Sequence, residues 1–165
     1  VFQIIAVDAT ETPCERPTSK QRRWYSGKKK RHTLKMQVLI NVTTNMIMSV
    51  ASTFGSMHDL TLFRHSKVQL APETALIGDA GYQGLWKDHP HALTPHKATR
   101  NTPLTDEQRQ DNRVLAHTRQ GVEHVIRRLK IFRVLKEVYR HRRRRFALRL
   151  HLIAALCNLN LARSA

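Results

Sequence analysis

Gly78-Asp79-Ala80-Gly81-Tyr82-Gln83-Gly84, entered from Thr74-Ala75-Leu76-Ile77, decides how this chain is read. A short apolar run that stops at a glycine-rich stretch predicts a buried strand followed by a sharp turn, with Asp79 at the strand's C-terminal end. A carboxylate held there, in a chain of formal net charge +17, points to a bound cation. An earlier segment repeats the pattern. Phe2-Gln3-Ile4-Ile5-Ala6-Val7 is too short for a helix and rich in β-branched residues, and it ends at Asp8, Ala9 and Thr10. Asp8 is thus also expected at the C-terminal tip of a strand. Ligands of open α/β sheets bind outside the carboxyl ends of parallel strands, so two such acids can face one crevice. The alternative for either acid alone is a turn cap.

A third acid follows at helical spacing. From Thr105 to about Leu135 the sequence predicts one long helix, with Val122, Val125, Ile126, Leu129 and Phe132 as its core-facing stripe. Arg119, Glu123, Arg127 and Lys130 stand at intervals of four, four and three, forming a charged ridge along the edge of that stripe. Taken alone, the ridge also reads as a solvated face with ion pairs worth a few tenths of a kcal/mol each. The set of three acids distinguishes the readings.

These residues, in order, resemble the transposases of bacterial insertion sequences whose catalytic acids are Asp, Asp and Glu, in the branch related to eukaryotic Harbinger elements. Asp8 with Thr10 is similar to the first-acid motif, and Gly55-Ser56-Met57-His58-Asp59 to a Gly-x-x-His-Asp segment. Gly78-Asp79-Ala80-Gly81-Tyr82 resembles the second-acid motif, and Arg119-x3-Glu123-x6-Lys130 the third. The tyrosine that often stands three residues before that arginine is replaced by Ala116. The resemblance implies an RNase H-like α/β fold, a mixed central sheet flanked by helices, in a single catalytic domain spanning 1–165. It also implies that the helical DNA-binding domain usual before the first strand is absent, since the chain starts at Val1.

By resemblance, Asp8, Asp79 and Glu123 are both the catalytic residues and the metal ligands of a DNA transposase that cleaves phosphodiesters and transfers strands at transposon ends. Three carboxylates within about 4 Å repel one another by several kcal/mol per pair at an effective dielectric of about 20. Mg²⁺ or Mn²⁺ relieves that repulsion, being a hard ion that takes oxygen ligands and keeps positions open for phosphate and water. Two ions roughly 3.5–4 Å apart are expected. Arg119 and Lys130 are assigned to phosphates beside Glu123, with Arg127 on the same ridge. Two alternatives belong to other classes: a catalytically inactive DNA-binding remnant, and a host nuclease or resolvase of the same fold.

Charge supports a polyanionic partner. Lys and Arg number 29 against 12 Asp and Glu, and the surplus is +5 over residues 1–60, +2 over 61–120 and +10 over 121–165. Arg140-His141-Arg142-Arg143-Arg144-Arg145 leads into Phe146, Leu150, Ile153, Ala154, Leu156, Cys157 and Leu161 at helical intervals, so 139–165 is expected to form a basic C-terminal helix packed on the domain. Arg142 and Arg143 are DNA-contact candidates there. Arg22-Arg23-Trp24-Tyr25-Ser26-Gly27-Lys28-Lys29-Lys30-Arg31 interleaves cations with aromatics. It reads either as a hairpin whose Arg23, Lys28, Lys29 and Lys30 grip phosphates while Trp24 or Tyr25 stacks on an unpaired base, or as a solvated loop with Trp24 packed on the core.

The remaining elements expected are strands over Thr33–Val42 and Met46–Thr53 joined by a turn at Thr43-Thr44-Asn45, a short helix over Asp59–Ser66, and an edge strand over Ala92–Lys97 that Pro95 keeps out of the sheet's interior. No apolar run approaches membrane-spanning length and no signal-peptide pattern opens the chain, so no membrane partner is expected. A bacterial cytoplasmic, nucleoid-associated location follows from the resemblance, as does a homodimer on the terminal inverted repeats and target of double-stranded DNA. Cys14 and Cys157 are expected to be reduced.

Overall fold

A computed structural model describes residues 3–164, so Phe2 at the start of the first expected strand lies outside the described residues. The central strand β1 (Ile4–Pro13) alternates its side chains between two buried faces, as a strand covered on both sides must. It pairs antiparallel with β3 (Arg31–Asn41) from Ile5 opposite Asn41 to Pro13 opposite Thr33, and parallel with β5 (Ala75–Ile77). The outer side of β3 carries β4 (Ile47–Phe54) antiparallel and, at its first residues, the two-residue β2 (Tyr25–Ser26). β6 (Ala92–Leu93) closes the other edge, parallel to β5. The result is a mixed sheet in the order β4, β3, β1, β5, β6, flanked by helices.

Its two faces hold separate cores. Ala6, Met36, Val38 and Ile40 pack with Val122, Val125 and Leu129 of α4 (Gln120–Leu129) and with Leu150 and Ile153 of α6 (Phe146–Arg163). Ile5, Val7 and Leu39 point the other way, against Phe63 of α2 (Asp59–Ser66) and against Tyr82 and Leu85. A one-residue slip of β1 would exchange these sets, so apolar alternation holds the register and with it every side chain's face.

Three expectations on local structure need correction. Asp8 is the fifth of ten residues in β1, not its last. The strand continues because its polar half finds partners: Thr12 Oγ1 donates to Leu135 O at 2.7 Å, and Glu11 Oε2 accepts from Thr33 Oγ1 at 2.7 Å. The single long helix is divided at Arg119 (φ −78°, ψ −10°) into α3 (Asp106–Thr118) and α4, and Leu135 belongs to a separate turn, α5 (Arg133–Lys136). The edge strand stops at Leu93, short of Lys97.

Thr105 caps α3 in a reciprocal capping box with Gln108, and Asn45 (φ 56°) closes the β3–β4 turn. The basic segment begins with a single turn of helix, α1 (Gln21–Trp24), before β2. Gly84 sits at φ 95°, the left-handed region that favours glycine, between two short 3₁₀ turns. α6 begins at Phe146 after a 3₁₀ turn of arginines, Arg143–Arg145, and buries Phe146, Leu150, Ile153, Ala154 and Cys157, while Leu156 stays exposed. Both cysteines are buried and free. Among the described residues no helix is long and apolar enough to cross a membrane.

Candidate active site

Strand register brings the first two acids together. β1 and β5 run parallel with Ile4, Ile5 and Ala6 beside Ala75, Leu76 and Ile77. The same offset carried two residues further sets Asp8 beside Asp79, just past the C-terminal end of β5. Asp79 caps the turn that follows, its Oδ1 accepting from Gly81 N at 2.8 Å. The turn-cap reading therefore holds for this acid. Asp8 Oδ1 accepts from Ala9 N at 2.7 Å and Oδ2 lies 3.3 Å from Arg119 Nη2.

Burial pushes the Asp8 carboxyl up to about 6; Arg119 opposes that rise, and the charges of Asp79 and Asp59 add to it. The buried Tyr82 phenol stands against the same acids. Its pKa is raised well above the ordinary value by burial first, and then by Asp59, Asp8 and Asp79. Its hydroxyl donates to Gln37 Oε1 at 3.3 Å.

Asp59 is the acid that sequence reasoning left without a role. Its Oδ1 lies 2.7 Å from Lys35 Nζ, which also donates to Met57 O, and both side chains are largely buried. A Cβ at Gly81 would stand 2.5 Å from Asp59 Oδ2 and 3.0 Å from Asp79 Oδ1, so glycine is needed there for two carboxylates to close on one backbone atom. The signal was present: Lys35 is the one charge inside the buried run Thr33–Ile40, where an unpaired ammonium would be too costly to keep.

α4 lies over β1 and fastens to it at both ends. Arg119 holds Asp8 at one end; at the other, Lys130 Nζ donates to Thr10 Oγ1 at 2.6 Å and Glu11 O at 3.3 Å. Burial lowers the Lys130 pKa, nearby Lys29 lowers it further, and Glu11 works against both. Glu123 stands between these fastenings, exposed, in the first turn of α4. It is not among the charges that shift Asp8, and among the described residues no three carboxylate, histidine or cysteine side chains gather closely enough to share one ion. Arg127 is exposed on the same helix.

The basic segments divide by burial. Trp24 packs on the core, edge-on to Phe54, with the Arg143 guanidinium 4.9 Å above its ring; Arg23 lies 4.1 Å over Phe54. Of the two readings for that tryptophan, core packing holds. Tyr25 remains 42 % exposed beside the exposed turn that carries Lys28, Lys29 and Lys30, and Arg142 is exposed near the start of the last helix.

Residues 7–158 match the family described as DDE superfamily endonuclease. The probable transposase for insertion sequence element IS702 of Microchaete diplosiphon is 43% identical over 162 residues, covering 98% of this chain and 59% of that relative. The chain thus spans about three fifths of the length of the relative it matches. No solved structure matches it significantly. With a match that covers nearly its whole length, the chain belongs to the DDE superfamily of endonucleases.

Proposed function

We propose that this chain is the catalytic part of an insertion-sequence transposase with an RNase H-like fold, cutting and rejoining DNA at transposon ends with Asp8, Asp79 and Glu123 as its carboxylates. The observation that supports the reading is that Asp8 is pushed up to about 6, by burial first and also by the charge of Asp79, which follows the strand paired parallel with β1. Such a pair is relieved by a cation. Its all-oxygen donor set fits Mg²⁺ or Mn²⁺, which bind through one or two carboxylates and complete their shell with water and substrate phosphate.

When bound, divalent ions activate an attacking water and stabilise the leaving 3′ oxygen of a phosphodiester. The protein's own residues prepare the place. Arg119 orients Asp8 through Oδ2, Gly81 N orients Asp79 through Oδ1, and Lys130 braces the strand beyond Asp8 at Thr10. Glu123, four residues after Arg119 in the first turn of α4, is the third carboxylate by the family's signature. The partner is double-stranded DNA of the bacterial nucleoid, with two copies of the chain pairing two element ends. The surplus of +10 in residues 121–165 supports a polyanionic partner.

The test is Mg²⁺-dependent cleavage and strand joining on DNA bearing terminal inverted repeats. Asp79→Asn and Glu123→Gln should each reduce both steps to background while leaving salt-sensitive DNA binding intact. Strand joining unchanged in either variant overturns that residue's assignment.

A further inference from the structure

β3 is buried from Thr33 to Ile40, yet one of its faces carries two polar side chains, Lys35 and Gln37, 8 % and 0 % exposed. Leu39 continues that face into the core of Ile5, Val7 and Tyr82, where an aliphatic side chain at position 37 would pack with no polar group to satisfy. Gln37 instead makes one long hydrogen bond, its Oε1 accepting from the Tyr82 hydroxyl at 3.3 Å, and its Nε2 has no partner among the described residues. A buried amide left half-satisfied lowers stability, so stability does not account for this residue.

Both polar side chains reach the turn that carries Asp79. They stand opposite Glu11 and Ala9 of β1, with β5 on the far side of that strand. Ala9, with only a methyl group, leaves the way over β1 open to Gln37. There Gln37 holds Tyr82, whose N donates to Asp79 O at 3.0 Å and whose Cβ would stand 2.8 Å from a methyl placed on Gly78. Lys35 holds Asp59, and Asp59 Oδ2 lies against Gly81, the residue whose N donates to Asp79 Oδ1. Asp8 belongs with Thr10 to the opposite face of β1, the one that meets Arg119 and Lys130, so the second acid's turn is gripped from behind the sheet. We propose, resting on the transposase reading above, that Gln37 and Tyr82 are positioning residues for Asp79. Their contact, beside the Lys35–Asp59 pair, fixes the second acid relative to Asp8 and with it the affinity of the two acids for a divalent cation. Sealed from solvent, Gln37 acts on the site only through Tyr82.

The full chain is titrated with Mn²⁺ in the absence of DNA, free Mn²⁺ being read by EPR, and is melted in EDTA. Tyr82→Phe keeps the ring and removes the hydroxyl. Tyr82→Phe combined with Gln37→Leu makes the contact wholly apolar and should melt no lower than wild type, since exchanging both partners strands no polar group. Both variants should bind Mn²⁺ about tenfold more weakly, the scale of loss seen when the partners that orient a metal ligand are removed. Cleavage by both should recover at about tenfold higher Mg²⁺, whereas Asp79→Asn should stay inactive. Unchanged Mn²⁺ affinity in the double variant overturns the positioning role, and so does a loss of affinity that tracks a lower Tm, because general loosening then accounts for both. A wild-type protein without a Mn²⁺ site that Asp79→Asn removes overturns the transposase reading instead.

Discussion

Arg119 Nη2 stands 3.3 Å from Asp8 Oδ2, joining the break between α3 and α4 to the middle of β1 across 111 residues of chain. The contact is electrostatically incomplete. One guanidinium offsets only part of the burial and of the repulsion from Asp79 and Asp59, so Asp8 titrates near 6 rather than at 3.8.

That shift has a definite sign. The folded protein holds the Asp8 proton more tightly than the unfolded chain, so the stability it contributes is complete below the free value and is lost as pH rises through about 6. By neutral pH the ionised side chain subtracts up to roughly 3 kcal/mol from the metal-free protein. Asp8→Asn, melted in EDTA, should exceed wild type in stability at about pH 8 and match it near pH 4. A stability difference independent of pH would refute the assignment.

Lys35 and Asp59 depend on each other for charge balance. Lys35→Met leaves a mostly buried carboxylate beside two others and should cost roughly 2–3 kcal/mol in urea denaturation. Adding Asp59→Asn should restore at least half of the loss, because the pair is coupled. Strict additivity of the two single changes would show that the pair carries no such interaction.

Gly81 and Gly27 make a matched comparison. A methyl at Gly81 collides with the carboxylates of Asp59 and Asp79, whereas one at Gly27 meets nothing within 4 Å. Gly81→Ala should lower stability by about 1–3 kcal/mol and, on the proposed metal-binding role, weaken the rise in Tm expected on adding Mg²⁺. Gly27→Ala should stay within about 0.5 kcal/mol of wild type. Equal behaviour of the two variants would remove the carboxylates from the explanation.

Adjacent arginines should separate by function. Arg142 is exposed, while Arg143 stacks on Trp24. Arg142→Ala should reduce the slope of log K against log salt for DNA by about 1 without changing Tm. Arg143→Ala should also lose about 0.5–1 kcal/mol of stability with the cation–π contact. An unchanged slope in Arg142→Ala would place the DNA elsewhere.

Most of the framework was legible along the chain. The strand over Thr33–Val42, the turn at Thr43-Thr44-Asn45, the helix at Asp59–Ser66 and the helix start at Thr105 are local signals, set by hydrophobic period and backbone preference within a few residues, and each reappears in the fold to within a residue or two. Asp79 was found the same way, from an apolar run stopped by glycines. The motif at Gly55–Asp59 was visible too, but its acid had no role until Lys35 arrived from a neighbouring strand.

The amino-acid order alone determined the family, the strands and helices in sequence, and which acids to consider, because those rest on residue identity and short-range periodicity. Only tertiary structure decided that β1 runs on past Asp8, that the long helix breaks at Arg119, and that Trp24 is core while Tyr25 remains exposed. It also set Asp8 beside Asp79 and Asp59 while leaving Glu123 exposed on its helix. The physical reason is that strand pairing, burial and charge interaction are sums over neighbours brought together from distant parts of the chain. β1 meets a partner strand on each side, Asp8 within it meets a guanidinium 111 residues away, and no window of sequence contains them all.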